Sequence, residues 1–404
     1  MSRTYLRTHP WITFSLDLGV LPAEAWILLG EARSKCDHVG SVPLKPAYAE
    51  ILYGIYLAKG AQATTAIEGN TLTEDQVAKH IKGELDLPLS KEYLRKEVDN
   101  IIKEANSIWN NVRKETSEAA VRITPDEIEA FNAAVLDGLE VEDHVVPGKI
   151  RESVPVGVPG YRGAPAEDCG FLVEQLCNWL NDDWQLDEHD SLGVIPAILK
   201  GVLAHLYLAW IHPFGDGNGR TARLLEFKIL VSGGVPTVAA HLLSNYYNET
   251  RTRYYRELAR ASKSGGDVVP FLLYGLNGFV EQLVDQINLI LSQQFLISWK
   301  DYVYESFKRD KSSTRKRQRD LVLALTENHQ PVGIEKVVTL TTDLALAYGK
   351  LSKKTLIRDL GTLQKMGLVR VTENREYQAN LSRMLGHLPE RRQEVVNRYL
   401  APAE

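Results

Sequence analysis

The chain has 404 residues, of which 44% are hydrophobic and 25% are charged, and its formal net charge at pH 7 is −5. This balance is ordinary for a soluble globular protein of two or three domains, and it argues against a chain devoted wholly to nucleic acid. Three cysteines without metal-ligand spacing argue against a disulfide framework, and the lack of a signal peptide or of roughly 18 consecutive apolar residues argues against a membrane span, so we predict a cytoplasmic protein.

Residues 1–115 are predicted to form an N-terminal helical region. An extended arm should precede a helix at residues 22–34, and apolar residues at helical spacing predict a second helix at about residues 47–69. Thr73 and Gln76 stand at the spacing of a capping box, which predicts the start of another helix. The charged stretch at residues 80–117 also favours helix.

Residues 116–295 are predicted to form the central domain. Thr124 as N-cap and Pro125 at the first helical position predict a helix over residues 125–135. Residues 152–161 are β-branched and interrupted by Pro and Gly, which indicates a small hairpin or a surface loop. Residues 165–168 should open the next helix, and the apolar residues 195–210 predict a buried helix in which His205 is a core histidine.

The densest cluster of reactive side chains follows that buried helix. Residues 212–223 read His-Pro-Phe-Gly-Asp-Gly-Asn-Gly-Arg-Thr-Ala-Arg. Pro213 and the three glycines predict a tight loop between two buried helices. The second helix would begin near Asn218 or Gly219, so its unpaired backbone N–H groups and its positive dipole end would form an anion site in the loop.

The side chains of this loop indicate phosphate chemistry. Arg220 and Arg223 are three residues apart, so they lie on the same side of the first helical turn and add two permanent positive charges. Asp216 offers a hard oxygen ligand suited to Mg²⁺, and His212 is the one side chain here that accepts a proton near neutral pH. The set predicts phosphoryl or nucleotidyl transfer. It is not a P-loop, because no strand precedes it and it lacks the Lys-Ser/Thr ending.

The motif resembles that of the Fic family, His-x-Phe-x-Asp/Glu-Gly-Asn-Gly-Arg-x-x-Arg, at every defined position. The resemblance implies an all-α protein with a Fic-fold helical core, a small β-hairpin flap and transfer of AMP from ATP to a protein hydroxyl. It implies that His212 deprotonates the hydroxyl and that Asp216 holds Mg²⁺. The implied nucleotide-binding residues of the motif are Gly217, Asn218 and Gly219 as anion hole, Arg220 and Arg223 on the β- and γ-phosphates, and Thr221 and Ala222 between them.

The same resemblance extends to two segments outside the motif. It makes the hairpin a flap that lines the nucleotide and pairs with an extended target segment, with Val154, Pro155, Val156 and Gly157 facing ATP. It also suggests that Tyr254 and Tyr255 close the adenine pocket, although tyrosines at helical spacing also fit a core position. Ser262 stands where some relatives have a nucleotide-contacting Asn.

An acidic residue far upstream completes the resemblance. Thr64, Glu68 and Gly69 match the family's inhibitory motif, Ser/Thr-x-x-x-Glu-Gly/Asn, on the N-terminal side of the core. The implication is autoinhibition, because a carboxylate paired with Arg223 would occupy the guanidinium that should hold the γ-phosphate. Thr64, one turn before Glu68, would fix its geometry.

Residues 296–404 are predicted to form a linker and a further domain. The basic stretch at residues 308–319 marks a linker or a helix start. Helices at residues 320–326, 334–340 and 352–366, a Gly367 that ends the third helix, and an alternating hairpin at residues 368–377 resemble a winged helix-turn-helix domain. Lys353, Lys354 and Arg358 would lie near the start of its recognition helix, so residues 320–380 are a candidate DNA-binding surface, or else a protein-interaction module. A last helix is expected at residues 390–400.

These patterns favour one function and leave others open. The preferred hypothesis is an autoinhibited protein adenylyltransferase that uses ATP and Mg²⁺, acts on a Tyr, Thr or Ser hydroxyl of a target protein or of itself, and forms a homodimer without membrane contact. Removal of AMP by the same site, with Glu68 positioning a water, remains open. The main alternative is a DNA-binding transcriptional regulator that uses the core as a nucleotide sensor. Phosphotransfer is disfavoured, because the kinase-like relatives carry Lys where Gly219 stands.

Overall fold

The structure is a computed structural model that describes residues 3–42, 46–114, 122–152, 157–158, 161–184, 186, 190–310, 312–328, 330–387, 390 and 393–394. The chain consists of two compact units, Met1–Val284 and Asp285–Glu404. Helix dominates both units, and the described strands form two sheets of two strands each, which confirms the predicted all-α class. None of the helices among the described residues is long and apolar enough to cross a membrane.

The first unit consists of helices around one small hairpin. Its helices are α1 (Tyr5–Thr8), α2 (Ala23–Ser41), α3 (Pro46–Ala66), α4 (Glu74–Ile81), α5 (Glu92–Lys114), α6 (Pro125–Val135), α7 (Ala166–Asp182), α8 (Ile195–Ile211), α9 (Asn218–Ser232), α10 (Thr237–Ala240), α11 (Leu242–Glu249) and α12 (Arg251–Lys263). The long helix α13 (Val269–Ser306) includes residues of both units. Single 3₁₀ turns occur at Leu18–Val20, Leu89–Lys91 and Asp190–Leu192, and the hairpin is β1 (Gly157–Val158) with β2 (Tyr161–Arg162).

Helices α8 and α9 form the centre of this unit. Every residue of α8 except Lys200 is buried, which agrees with the apolar run that predicted the helix. The two helices approach closely at Gly201, where an added Cβ would lie 3.3 Å from Leu230 Cδ2. Helices α5 and α6 pack on α9, and helices α2 and α7 pack on α8. The loop that joins α8 to α9 is therefore held at one end of a buried helix pair.

Helix α3 packs against α4, α5, α9, α10 and α11. Its close approach to His241, which lies between α10 and α11, depends on Gly60, where an added Cβ would lie 2.3 Å from His241 Nδ1. The helix ends at Ala66, earlier than the predicted end near residue 69. The chain then turns, with Glu68 N donating to Thr65 O at 3.0 Å and Gly69 at φ +107°. Glu68 thus lies in the turn that follows the helix and not in its last helical turn. The helix ends at Ala66, and the positive φ of Gly69 is incompatible with a continuing helix.

The local signals for helix starts in the first unit are confirmed. Thr73 and Gln76 form a complete capping box at the start of α4. Thr124 accepts a hydrogen bond from Glu127 N at 3.2 Å, with Pro125 at the first position of α6. The predicted hairpin is present in the described residues as β1 and β2, with Gly157 opposite Arg162. Val154, Pro155 and Val156 lie outside the described residues.

The second unit has its own apolar core and a short hairpin. Its elements after α13 are α14 (Ser313–Asn328), α15 (Ile334–Val337), α16 (Thr342–Tyr348), α17 (Lys353–Lys365), β3 (Val369–Val371), β4 (Tyr377–Ala379) and α18 (Ser382–Leu385). Strands β3 and β4 are antiparallel, with Arg370 opposite Gln378. Helices α16 and α17 and strand β4 pack against α14, around a core that includes Trp299, Leu321 and Leu363.

The helix boundaries of this unit agree with the sequence predictions only in part. Helix α14 begins at Ser313, inside the basic stretch, so that stretch is a helix start rather than a linker. The sequence predicts one helix at residues 334–340, whereas the structure has α15 ending at Val337 and a separate helix α16 at Thr342–Tyr348. Gly367 has φ +71° and ends α17 as predicted. The assignment to the winged helix-turn-helix class stays a prediction, and most of the expected helix at residues 390–400 lies outside the described residues.

Candidate active site

The loop between α8 and α9 begins at a strained residue. His212 follows α8 with φ 51° and ψ 57°, in the left-handed region that non-glycine residues rarely occupy. Its backbone N–H still bonds to Leu208 O at 2.9 Å, and Pro213 then prevents the helix from continuing. The buried helix therefore ends at His212, and the loop begins there.

Asn218 closes this loop on itself. Its Oδ1 accepts from Phe214 N at 2.9 Å, and its Nδ2 donates to Phe214 O at 2.8 Å. Gly217 precedes α9 with φ +75°, a conformation that favours glycine. The Asn218 side chain therefore shapes the loop, and the backbone N–H groups at the start of α9 remain the predicted anion site.

Asn132 on α6 holds the loop from outside, and sequence reasoning missed it. Its Nδ2 donates to Asp216 O at 2.9 Å and to Thr221 Oγ1 at 3.2 Å, and its Oδ1 accepts from Gly148 N at 2.9 Å. The side chain is fully buried. A signal for it existed, since Asn132 interrupts the apolar face that Ile128 begins on the same helix, and a buried amide needs partners.

Arg151 is the second positioning residue that sequence reasoning missed. Its Nε donates to His212 O at 2.9 Å, its backbone N–H donates to Pro213 O at 2.9 Å, and its Nη2 donates to Ala164 O. The Arg151 side chain is buried. Through these hydrogen bonds, it links the segment before the hairpin to Ala164, just before α7, and to His212. It fixes the backbone of His212 at the strained position.

The imidazole of His212, the predicted base, has a lowered pKa. Its pKa is lowered to about 4, chiefly by burial and also by the neighbouring Arg151 charge. The hydrogen bond to Ala209 O and the carboxylates of Glu68 and Asp216 raise the pKa but only partly offset this. Its Nδ1 lies 3.3 Å from Ala209 O. With the hydrogen assigned to Nδ1 for this contact, Nε2 carries the lone pair, and the ring is neutral at pH 7.

Asp216 is the predicted metal ligand. Its side chain is half exposed, and Oδ1 accepts from Gly217 N at 2.5 Å and lies 3.4 Å from Arg220 Nη2. Within the residues that the structure describes, no group of three or more His, Cys, Asp or Glu side chains is arranged to hold a metal ion. The surroundings still fit Mg²⁺, which commonly binds one or two protein carboxylates together with substrate phosphates.

Arg223 is engaged by the turn after α3. Its Nη2 donates to Glu68 Oε1 at 2.5 Å and to the main-chain oxygen of Thr64 at 2.9 Å. Thr64 is buried and meets Arg223 through its carbonyl. The predicted pairing of Glu68 with Arg223 is therefore present in this structure.

Three guanidinium nitrogens near the loop are left without hydrogen-bond acceptors. These are Arg220 Nε, Arg223 Nε and Arg223 Nη1, all buried and without a partner among the described residues. Buried donors are nearly always satisfied, so their presence beside a helix N-terminus fits an anion that brings several oxygens. A polyphosphate meets that requirement.

Arg220 is paired with a carboxylate that the sequence did not indicate. Its Nη1 donates to Glu97 Oε1 at 3.1 Å, and the Arg220 side chain is 6% exposed while that of Glu97 is 19% exposed. Glu97 lies on α5, in a helix whose charged sequence gives no reason to choose one glutamate over another. Both motif arginines thus face an acidic residue of the N-terminal region.

Glu68 lies directly over the first turn of α9. A Cβ added at Gly219 would lie 2.0 Å from Glu68 Oε1 and 3.2 Å from Arg223 Nη1. Burial raises the pKa of Glu68, but the charges of Arg223, Arg220 and His212 and the hydrogen bond from Arg223 outweigh burial and lower the pKa overall. Glu68 is therefore ionised at neutral pH, and it stands at the predicted phosphate position.

The remaining predicted residues occupy positions around this centre. Thr221 and Ala222 are fully buried in α9, and Thr221 Oγ1 donates to Gly217 O at 2.8 Å. Tyr254 is buried, and its hydroxyl lies 2.8 Å from Nε2 of His205, in agreement with a core position for both. Tyr255 is half-buried and donates to Ile67 O at 3.4 Å, next to Glu68. The predicted contact of both tyrosines with adenine stays a prediction.

Comparison with known proteins agrees with this geometry. Residues 122–230 match the Fic/DOC family. Protein adenylyltransferase fic-1 of Caenorhabditis briggsae is 33% identical over 214 residues, which are 52% of this chain and 37% of the relative. Protein adenylyltransferase Fic of Nematostella vectensis is 30% identical over 248 residues, which are 61% of this chain and 52% of the relative. The chain thus matches only about a third to a half of the length of these curated relatives.

Solved structures with the same fold extend the likeness. A Fic family protein from Desulfovibrio desulfuricans G20 aligns with a TM-score of 0.52 at 20% identity, over 89% of this chain and 97% of that one. A fragment of Fic-1 from C. elegans aligns with a TM-score of 0.52 at 26% identity, over 67% of this chain and 74% of that one. Residues 122–230 thus carry a Fic domain, and the likeness over most of the chain is one of fold.

Proposed function

We propose that the chain is a protein adenylyltransferase, which transfers AMP from ATP to a Tyr, Thr or Ser hydroxyl of a target protein or of itself and releases pyrophosphate. One observation carries the proposal: a histidine with a lowered pKa stands at one end of a loop whose other end is a helix N-terminus with two arginines. Three buried guanidinium nitrogens of these arginines have no hydrogen-bond partner among the residues that the structure describes. The names of the curated relatives support the same reaction.

The proposed reaction uses the side chains of the loop as follows. His212 Nε2 takes the proton of the target hydroxyl, and the hydroxyl oxygen forms a bond to the α-phosphorus. The bond from this phosphorus to the oxygen that bridges the α- and β-phosphates breaks, and pyrophosphate leaves with the electron pair. Arg220, Arg223 and the N–H groups of Gly217 to Gly219 would stabilise the charge that develops on the leaving group.

Mg²⁺ is proposed as the metal of this site, with Asp216 as its protein ligand. A bound Mg²⁺ would neutralise negative charge on the phosphates. The half-exposed carboxylate of Asp216 is suited to this, because it is a hard oxygen ligand that is partly accessible and lies beside Arg220.

We further propose that the chain is autoinhibited through Glu68. Its carboxylate bonds to Arg223 and stands within the space that a side chain at Gly219 would need. A γ-phosphate would compete for the same guanidinium, so ATP would bind without its triphosphate aligned for attack. Removal of AMP, with Glu68 orienting a water, would use the same carboxylate and is proposed as a secondary activity.

The hairpin is proposed to receive the target. Two strands of two residues each leave an edge that an extended peptide could extend by backbone pairing. Of the predicted ATP-facing residues, Gly157 belongs to β1, and the role of this segment towards ATP remains part of the proposal.

Label transfer from ATP that carries a radioactive α-phosphate tests the proposed function. We expect self-labelling to increase in Glu68→Gly and to disappear in His212→Ala. Glu74→Gln is the matched control, because Glu74 is a nearby acidic residue at the start of α4 that pairs with Lys59 at 3.6 Å. Equal labelling of all four proteins would contradict the mechanism.

A second candidate function rests on helix α17. Lys353, Lys354 and Arg358 are exposed on this helix, as a nucleic-acid contact requires. We therefore keep DNA binding through residues 320–380 as a proposal, in which the Fic domain would act as a nucleotide sensor. A gel-shift at low salt, with Lys354 and Arg358 replaced by Ala, tests it, and no shift with the unmodified chain would rule it out. The homodimer, the cytoplasmic location and the domain boundaries near residues 115 and 295 stay predictions.

A further inference from the structure

Glu97 links the N-terminal region, to which it belongs, to the motif at residues 212–223. It lies in the second turn of α5 (Glu92–Lys114), which packs on α9, and its two carboxylate oxygens have different partners. Oε1 accepts from Arg220 Nη1 at 3.1 Å, and Oε2 accepts from Asn70 Nδ2 at 2.8 Å. The carboxylate is therefore held from both sides.

Asn70 is itself fixed in place. Its Nδ2 also donates to Leu94 O at 2.8 Å, its Oδ1 accepts from Leu72 N at 3.0 Å, and its side chain is buried. Asn70 follows Glu68 by two residues, so its amide ties the turn that carries Glu68 to the helix that carries Glu97. Each polar atom of the Asn70 side chain has an acceptor or a donor, which makes the arrangement rigid.

Glu97 and Glu68 differ in whether their arginine partners can bind a phosphate without losing the ion pair. The Arg220 guanidinium has five N–H donors, of which one meets Glu97, another points towards Asp216, and Nε has no partner among the described residues. Arg220 can therefore keep its bond to Glu97 and still donate to a phosphate. Arg223, in contrast, meets Glu68 at the position above Gly219, where a phosphate would have to displace it.

We infer that Glu97 is a positioning residue for ATP: it holds the Arg220 guanidinium in the orientation that meets the β-phosphate, and Asn70 holds Glu97. The inference rests on the proposed function, because it assumes that Arg220 binds a phosphate of ATP. It predicts that loss of Glu97 weakens binding of nucleotides with a polyphosphate and leaves binding of AMP unchanged. A residue that only supported the fold would affect both ligands alike.

Calorimetric binding of ATP and AMP provides the test, in Glu68→Gly chains so that Arg223 is available. We expect Glu97→Ala to weaken ATP binding by about tenfold, the usual effect of losing a charge-assisted hydrogen bond, with no change for AMP. Asn70→Ala should show the same selectivity with a smaller loss of about fivefold, since it removes a hydrogen bond to a charged group but leaves the ion pair. Glu97→Gln keeps the side-chain shape and should fall between the Glu97→Ala and unaltered chains, which keeps the test valid if Glu97→Ala folds poorly.

Two controls isolate the role of Arg220. Asp99→Ala removes another carboxylate of α5, which pairs with His80 and not with the motif, and it should change neither affinity. In an Arg220→Ala background, Glu97→Ala should cause no further loss of ATP affinity, because a positioning residue acts only through its partner.

The outcomes distinguish a failure of the role of Glu97 from a failure of the proposed function. ATP binding that is unchanged or tighter in Glu97→Ala, an equal loss for ATP and AMP, or a further loss in the Arg220→Ala background would each overturn the role of Glu97. If the Glu68→Gly parent bound AMP and ATP equally well, Arg220 would not serve a phosphate and the inference would also fall. If the parent bound neither nucleotide, the proposed function itself would fall first.

Discussion

The contact between Glu68 and Arg223 allows a quantitative prediction for Glu68→Gln. This substitution keeps the shape of the side chain and removes its charge. The two partners meet at 2.5 Å, with the Arg223 side chain 1% exposed and that of Glu68 32% exposed. A hydrogen bond between charged groups contributes about 1.5–3 kcal/mol, and because a third of Glu68 faces solvent we take about 1.5–2 kcal/mol. At about 1.4 kcal/mol per tenfold, the fraction of molecules with Arg223 available should rise about 10- to 30-fold.

Initial rates of self-labelling at ATP concentrations well below saturation measure this fraction. Glu68→Gln should raise the rate by the factor above, and Glu68→Gly by at least as much, because it also clears the space over Gly219. The control Glu74→Gln removes an exposed carboxylate of α4 and should leave the rate unchanged. A rate for Glu68→Gln within twofold of the unmodified chain, or an equal rise in Glu74→Gln, would refute the reasoning.

The other predictions concern the loop and its surroundings. Arg151→Lys should lower the labelling rate by about tenfold or more with little change in ATP affinity, because a lysine cannot hold both the His212 backbone and the start of α7; an unchanged rate would speak against this role. Gly219→Ala should weaken ATP binding in calorimetry even in the Glu68→Gly chain, since its Cβ would fill the phosphate space, and unaltered affinity would disprove it. Burial lowers the pKa of His212 and of His241 to about 4 from 6.5, so between these pH values the unfolded chain binds more protons than the folded one. The free energy of unfolding, measured by urea denaturation, should therefore fall as pH drops, by about 2 kcal/mol per histidine at pH 5 relative to pH 7, and equal stability at both pH values would contradict this.

Features that depend on neighbouring residues were predictable from the sequence. Pro213 and Gly217 predicted a tight loop, and the structure has the left-handed conformation at Gly217 and the start of α9 at Asn218. The capping box at Thr73 and the N-cap at Thr124 were predicted for the same reason, because a helix start is set by a few adjacent side chains. The motif also indicated the partner of Glu68, although only through family resemblance.

Contacts between distant parts of the chain were not predictable in this way. Asn132, Arg151 and Glu97 meet the motif from 84, 61 and 123 residues away in sequence. Each is a polar residue on a helix or loop with many others, and nothing in its local pattern shows which one will face the loop after folding. A buried amide on an apolar helix face, as at Asn132, is the one such signal that the sequence offered.

Helix ends were the other source of error. The sequence predicts that α3 continues past Glu68 to about residue 69, whereas the helix ends at Ala66 and the chain turns at Gly69. The difference matters for function, because a carboxylate in a turn can move without unwinding a helix. In the second unit, the helix predicted at residues 334–340 ends at Val337, and helix α16 (Thr342–Tyr348) is not predicted.

In the proposed function, the loop transfers AMP and His212 is the base. To test both points together, the Glu68→Gly chain is incubated with ATP labelled on the α-phosphate and, in parallel, with ATP labelled on the γ-phosphate. The label that stays on the protein is measured together with the intact mass of the protein. We predict retention of the α-label only, a mass increase of one AMP per modified hydroxyl, and loss of both signals in Glu68→Gly/His212→Ala. Retention of the γ-label, or equal α-labelling after replacement of His212, would contradict the account.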